Sequence, residues 1–153
     1  MTQTDTTPET LEQKRERLSA LRETQALATK ASQEAIESKA LDSEERLYSE
    51  FANLGQLGYD YAGVISRKSG ELVVVKAPGK VAYRTYQSNT ALVGSPQAKL
   101  TLADCMVQLV QPCLVTAKEE FNALQDSEPE LLRRACDAAC KLAGARAEDI
   151  EGK

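Results

Sequence analysis

Apolar residues keep three different rhythms along this chain. From Thr7 to about Ala40 they are sparse. Leu11, Leu18 and Leu21 fit a seven-residue seam, but Lys14, Gln25 and Ser32 hold the other seam positions, and Ala28 and Ala35 continue it with little surface. Glu, Gln, Lys, Arg, Ala and Leu dominate here, so the segment predicts one long helix, started at Thr7-Pro8-Glu9. Roughly 32 helical residues span about 48 Å at ~1.5 Å per residue. A helix with so thin an apolar stripe gains little by itself and either lies on another chain or frays. Asp42-Ser43-Glu44-Glu45 then reads as a new cap for a short helix, Glu44 to Leu54, with Leu47, Tyr48, Phe51 and Leu54 on one face and Gly55 as its stop.

The rhythm next changes to two. Tyr61–Ser66 and Glu71–Lys76 are rich in Val, Ile and Tyr, and Arg67-Lys68-Ser69-Gly70 separates them. They predict a β-hairpin in which Gly70 takes a positive φ. Leu72, Val74 and Lys76 point to one side and Val73 and Val75 to the other. Apolar residues on both sides predict that both faces are covered, by a helix or by a partner. Pro78 then starts a helix over Val81–Tyr86, with Tyr83 and Tyr86 on one side. Those rings either pack on the hairpin or anchor a partner.

Beyond Tyr86 the helical period returns. Gln87–Lys99 predicts a long loop. Thr101 and Asp104 cap a helix that Pro112 stops or kinks. Thr116–Glu119 and Ser127–Glu130 read as capping boxes for a short helix with Phe121 and Leu124 and for a last helix, Glu128–Ala143, stopped by Gly144. The fold class is therefore mainly α with one β-hairpin (α+β): a long N-terminal helix, a central hairpin and a C-terminal bundle of short helices. The predicted division is a disordered tail (1–6), a helical extension (7–55), a hairpin and helical core (59–144) and a charged tail (145–153).

Charge changes this picture slightly. The chain has 153 residues and a formal net charge of −4, which disfavours general nucleic-acid binding. Residues 51–117 nevertheless hold six Lys and Arg against three acids, a locally positive region that is either a solvated face or a dock for an acidic partner. No apolar run approaches the ~18 residues of a membrane span, and the polar N-terminus has no secretory pattern.

Candidate chemistry is thin. There is no histidine, hence no ordinary triad and no commonest zinc ligand. No phosphate-cradling glycine loop occurs. Cys105, Cys113, Cys136 and Cys140 interleave with apolar neighbours and predict buried, reduced thiols. A small redox or metal enzyme built on those four is the competing reading. No catalytic, cofactor-binding or metal-binding residue and no cofactor is predicted. Acid pairs such as Glu44-Glu45 and Glu119-Glu120 suit the first turns of helices without any catalytic role.

The order Val73-Val74-Val75-Lys76-Ala77-Pro78, Tyr83-Arg84-Thr85-Tyr86, Leu109-Val110-Gln111-Pro112-Cys113-Leu114-Val115, Phe121-Asn122-Ala123-Leu124 and Pro129-Glu130-Leu131 to Ala143-Gly144 resembles the tail assembly chaperone proteins of tailed bacteriophages. The likeness covers roughly residues 60–144 and is one of apolar positions and prolines. The N-terminal helix is longer than that family's start. The resemblance implies a non-enzymatic protein of the host cytoplasm that binds the tape measure protein, and the tail tube protein with it, and promotes tail tube assembly. A second copy of the chain is a further candidate partner; nucleic acid and membrane are not. The alternative is a neck or tail component retained in the virion. On either reading Leu11, Leu18, Leu21, Val73, Val75, Tyr83 and Tyr86 are the candidate partner contacts.

Overall fold

The computed structural model describes residues 8–51 and 57–151, with side chains to residue 145. The predicted 1–6 tail, and the Leu54 and Gly55 end of the second helix, lie outside the described residues. The chain is α+β, as its periodicities predict. Helix α1 spans Leu11–Arg46 and passes into a π-helical turn, Leu47–Phe51. Strands β1, Tyr61–Ile65, and β2, Leu72–Lys76, form the hairpin. Helices α2 (Lys80–Leu92), α3 (Leu102–Val110), α4 (Lys118–Ser127) and α5 (Glu130–Glu151) follow, with a 3-10 turn at Gln111–Cys113. Two compact units divide the chain, residues 1–35 and 36–153.

In the first unit every residue from 8 to 35 is exposed. Helix α1 starts one turn later than Thr7-Pro8-Glu9 predicts. The Thr10 hydroxyl accepts from the Gln13 N–H at 3.2 Å, and the Thr10 N–H donates to Gln13 Oε1 at 3.0 Å, a reciprocal cap written as Thr-x-x-Gln.

The second unit is organised by the hairpin. Its strands are antiparallel, with Tyr61 opposite Lys76, Gly63 opposite Val74 and Ile65 opposite Leu72. Val73 and Val75 face a large core with Leu109, Phe121, Leu131 and Leu142, while Leu72 and Val74 face a smaller one with Leu47, Phe51 and Tyr61. Both faces are thus covered by the chain itself. The smaller core is closed by the end of α1. Ile36, Ala40, Ser43 and Leu47 recur at helical spacing and are the partly or fully buried positions there. This is why the helix does not restart at Asp42. The Ser43 hydroxyl, predicted as a cap, instead donates to the Gly70 carbonyl oxygen at 2.6 Å. Gly70 has φ 76°, and a Cβ there would lie 2.6 Å from the Ile36 carbonyl oxygen, so the turn requires glycine for conformation and for space.

The two edges of the hairpin differ. On β2 the Val74 N–H donates to Thr116 Oγ1 at 2.9 Å and its carbonyl accepts from the Val115 N–H at 2.9 Å. On β1 the closing bonds from the Ser66 N–H to the Glu71 carbonyl and from the Ala77 N–H to the Asp60 carbonyl fix which residues turn inward to β2. Tyr61, Gly63 and Ile65 therefore turn outward. The Tyr61 carbonyl meets the Gly58 N–H at 2.8 Å; Gly63 and Ile65 have no partner on that side among the described residues.

Several helix ends differ from expectation, each for a local reason. Pro78 is buried just ahead of α2, with Gly79 as its cap. Helix α2 runs through the predicted loop to Leu92, helped by the Thr90 hydroxyl donating to the Tyr86 carbonyl at 2.9 Å; Gly94 at φ 84° marks the true end. Thr101 and Asp104 form the expected box. Thr116 does not cap α4, because its oxygen is taken by Val74, and Ala117 holds the cap position without a side-chain bond. Helix α5 starts at Glu130 and passes Gly144 to Glu151, so the predicted charged tail is helical as far as residue 151. Glu128, predicted inside that helix, is a buried junction residue (below).

Candidate interaction site

Among the described residues, the N-terminal helix leaves more large apolar side chains in solvent than any other element. Leu11 is 64% exposed, Leu18 46% and Leu21 61%. Nothing in the first unit covers them, because every residue from 8 to 35 is exposed. Their spacing puts the three on one side of the helix. Leu27 is exposed too, on the opposite side; off the seven-residue seam, it gave the sequence no signal of this kind.

Val73 and Val75 are not available to a partner. Both are completely buried between the strands and α5, so as contact residues they are corrected to core residues. Tyr83 and Tyr86 are half-buried. Tyr86 packs on the large core rather than on the open face of α2. The structure therefore keeps Leu11, Leu18 and Leu21 together, leaves part of Tyr83 accessible, and removes the valines.

The cysteines behave as core residues with one local network. Cys105, Cys113 and Cys136 are buried and Cys140 is half-buried, none of them in a disulfide. Burial pushes the Cys113 thiol up. Cys140 donates to Cys136 and pulls that thiol down to about 7 against its burial; the same contact, with burial, drives Cys140 well above the thiol range. Burial, then the Cys136 contact, raises the Tyr86 hydroxyl. A thiol of lowered pKa is a nucleophile only where a substrate reaches it. Cys136 is 1% exposed, and the cavity of about 130 Å³ between α2 and α3 is lined by Tyr86 and Cys105 but not by Cys136. Among the described residues no three His, Cys, Asp or Glu side chains are arranged to hold a metal ion. No helix among them is long and apolar enough to cross a membrane.

Glu128 is a buried, well-connected carboxylate. It is 6% exposed and accepts from the Ser66 hydroxyl at 2.7 Å, from the Arg67 N–H at 3.3 Å and from Arg134 at 3.3 Å. Both carboxylate oxygens are engaged by donors from the hairpin and α5, so Glu128 joins those elements. No protein-family model matches the chain, and no curated protein or solved structure matches it either.

Proposed function

We propose that this protein is a non-enzymatic, polypeptide-binding assembly factor, a phage tail assembly chaperone whose client is the tape measure protein in the host cytoplasm. The observation that supports it is the exposed row Leu11, Leu18 and Leu21 on a helix whose residues 8–35 bury nothing. Burying one leucine contributes roughly 1.5–3 kcal/mol, so three of them can hold a client helix laid along the seam. Their polar surroundings keep the free protein dispersed and the contact reversible. A tape measure protein, long and helical, would lay an amphipathic segment along that seam.

Co-expression with the tape measure protein of the same phage tests the reading. Soluble tape measure protein is expected to rise with the wild-type chain and not with a Leu11→Ser/Leu18→Ser/Leu21→Ser variant. An unchanged yield with the wild-type chain overturns it. A chaperone is also expected to be missing from purified virions.

A further inference from the structure

The outward edge of β1 borders a groove of about 630 Å³. On the strand it is lined by Ala62, Gly63, Val64 and Ile65. Four consecutive residues alternate between the two faces of a strand, so a groove touching all of them meets the strand at its edge. That edge holds the N–H and C=O groups of Gly63 and Ile65, which have no partner among the described residues. The opposite wall is one stripe of α5: Arg134, Asp137 with Ala138, and Lys141 with Leu142. Arg134 is engaged by Glu128. Asp137 and Lys141 are exposed, and no ion pair joins either to another described residue.

We infer that this edge takes a second copy of the chain, in an antiparallel β1–β1 pair about a twofold axis through Val64. Gly63 of each protomer then faces Ile65 of its partner, and each such pair exchanges N–H and C=O bonds. The β1 polar groups without a partner among the described residues are the ones this register consumes. The two hairpins then form one four-stranded sheet with the two β1 strands at its centre.

Two further relations favour a copy of the same chain over an unrelated strand. Helix α5 lies against both β1 and β2, so it runs beneath the hairpin as a whole. Pairing at the β1 edge sets the two α5 helices about two strand spacings apart, ~9.6 Å, which is within the ~8–10 Å of packed helices. The groove lining is centred on Val64 in the strand and near Ala138 in the helix, so one axis serves both layers and a small residue lies at the crossing. About that axis, antiparallel α5 helices bring Asp137 of one protomer to Lys141 of its partner, and the reverse. The stripe is complementary to itself, where a strand of uniform charge would meet one favourable and one unfavourable residue.

Sedimentation of the full chain over a concentration series tests this. A reversible dimer is expected, and it should persist in the Leu11→Ser/Leu18→Ser/Leu21→Ser variant, which separates it from any association through α1. Asp137→Lys and Lys141→Asp alone should each weaken the dimer by about tenfold, since each sets like charges across the axis, and the double exchange should restore it. Hydrogen exchange at the Gly63 and Ile65 amides should slow as concentration rises. A chain that stays monomeric overturns the inference. So does a dimer indifferent to the charge exchange whose Gly63 and Ile65 amides exchange as fast as in dilute solution.

Discussion

The Ser66 hydroxyl donates to Glu128 Oε2 at 2.7 Å across 62 residues of sequence, and both residues are buried. The contact ties the end of β1 to the junction of α4 and α5. Glu128 stands before Pro129, which holds it extended and out of either helix. Glu128→Ala is expected to destabilise the fold by about 3 kcal/mol, because Ser66 and Arg134 lose their shared acceptor. Urea unfolding measures it. Ser66→Ala in the Glu128→Ala background should add much less than Ser66→Ala alone, as coupled partners do.

Gly70 sets a sharper contrast. Gly70→Ala meets the Ile36 carbonyl at 2.6 Å and a φ of 76°, so it should lower stability by about 2 kcal/mol or more. Gly79→Ala meets nothing within 4 Å and keeps φ at −65°, so it should be neutral within about 0.5 kcal/mol. Equal effects in urea melts would contradict the packing of the hairpin turn on α1.

Stability should depend on pH in two opposite ways. Folding raises the Tyr86 hydroxyl above its ordinary 10.0, so its contribution is whole below pH 10.0 and falls away as pH climbs toward the folded value. Folding lowers Cys136 from 9.0 to about 7, so its contribution is whole above pH 9.0 and fades as pH drops through about 7. Under reducing conditions, unfolding free energy should rise between pH 7 and 9, and Cys140→Ala should flatten that rise by removing the donor. Tyr86→Phe should lessen the decline above pH 10.0.

Residues of the N-terminal seam and of the core should separate stability from binding. Leu18→Ser changes an exposed residue and should shift stability by less than about 0.5 kcal/mol. Val73→Ala empties a completely buried site and should cost about 2 kcal/mol. Thermal melts of both variants beside client-solubility assays distinguish the two roles.

Much of this architecture is legible from periodicity. The alternation in Leu72–Lys76 places Val73 and Val75 opposite Leu72 and Val74, and the hairpin follows within one residue at each strand end. The candidate site was only half legible. Exposed leucines at seven-residue spacing are visible in the sequence, but alternation cannot say whether the second face of a strand is covered by the same chain or by another. Tertiary packing settled that against Val73 and Val75, because α5 covers one side of the hairpin and the end of α1 the other.

The polar residues mark the boundary of what the sequence by itself determined. Helix content, the hairpin and its register depend on neighbours a few positions away, and those are written in order along the chain. Ser43, Thr116 and Glu128 each have two competing uses, a local cap or a distant partner. Only the folded chain brings Gly70, Val74 and Ser66 within hydrogen-bond reach. A buried N–H or C=O left open is worse than a helix end left to solvent, so the distant partner wins, and with it the true ends of α1, α4 and α5.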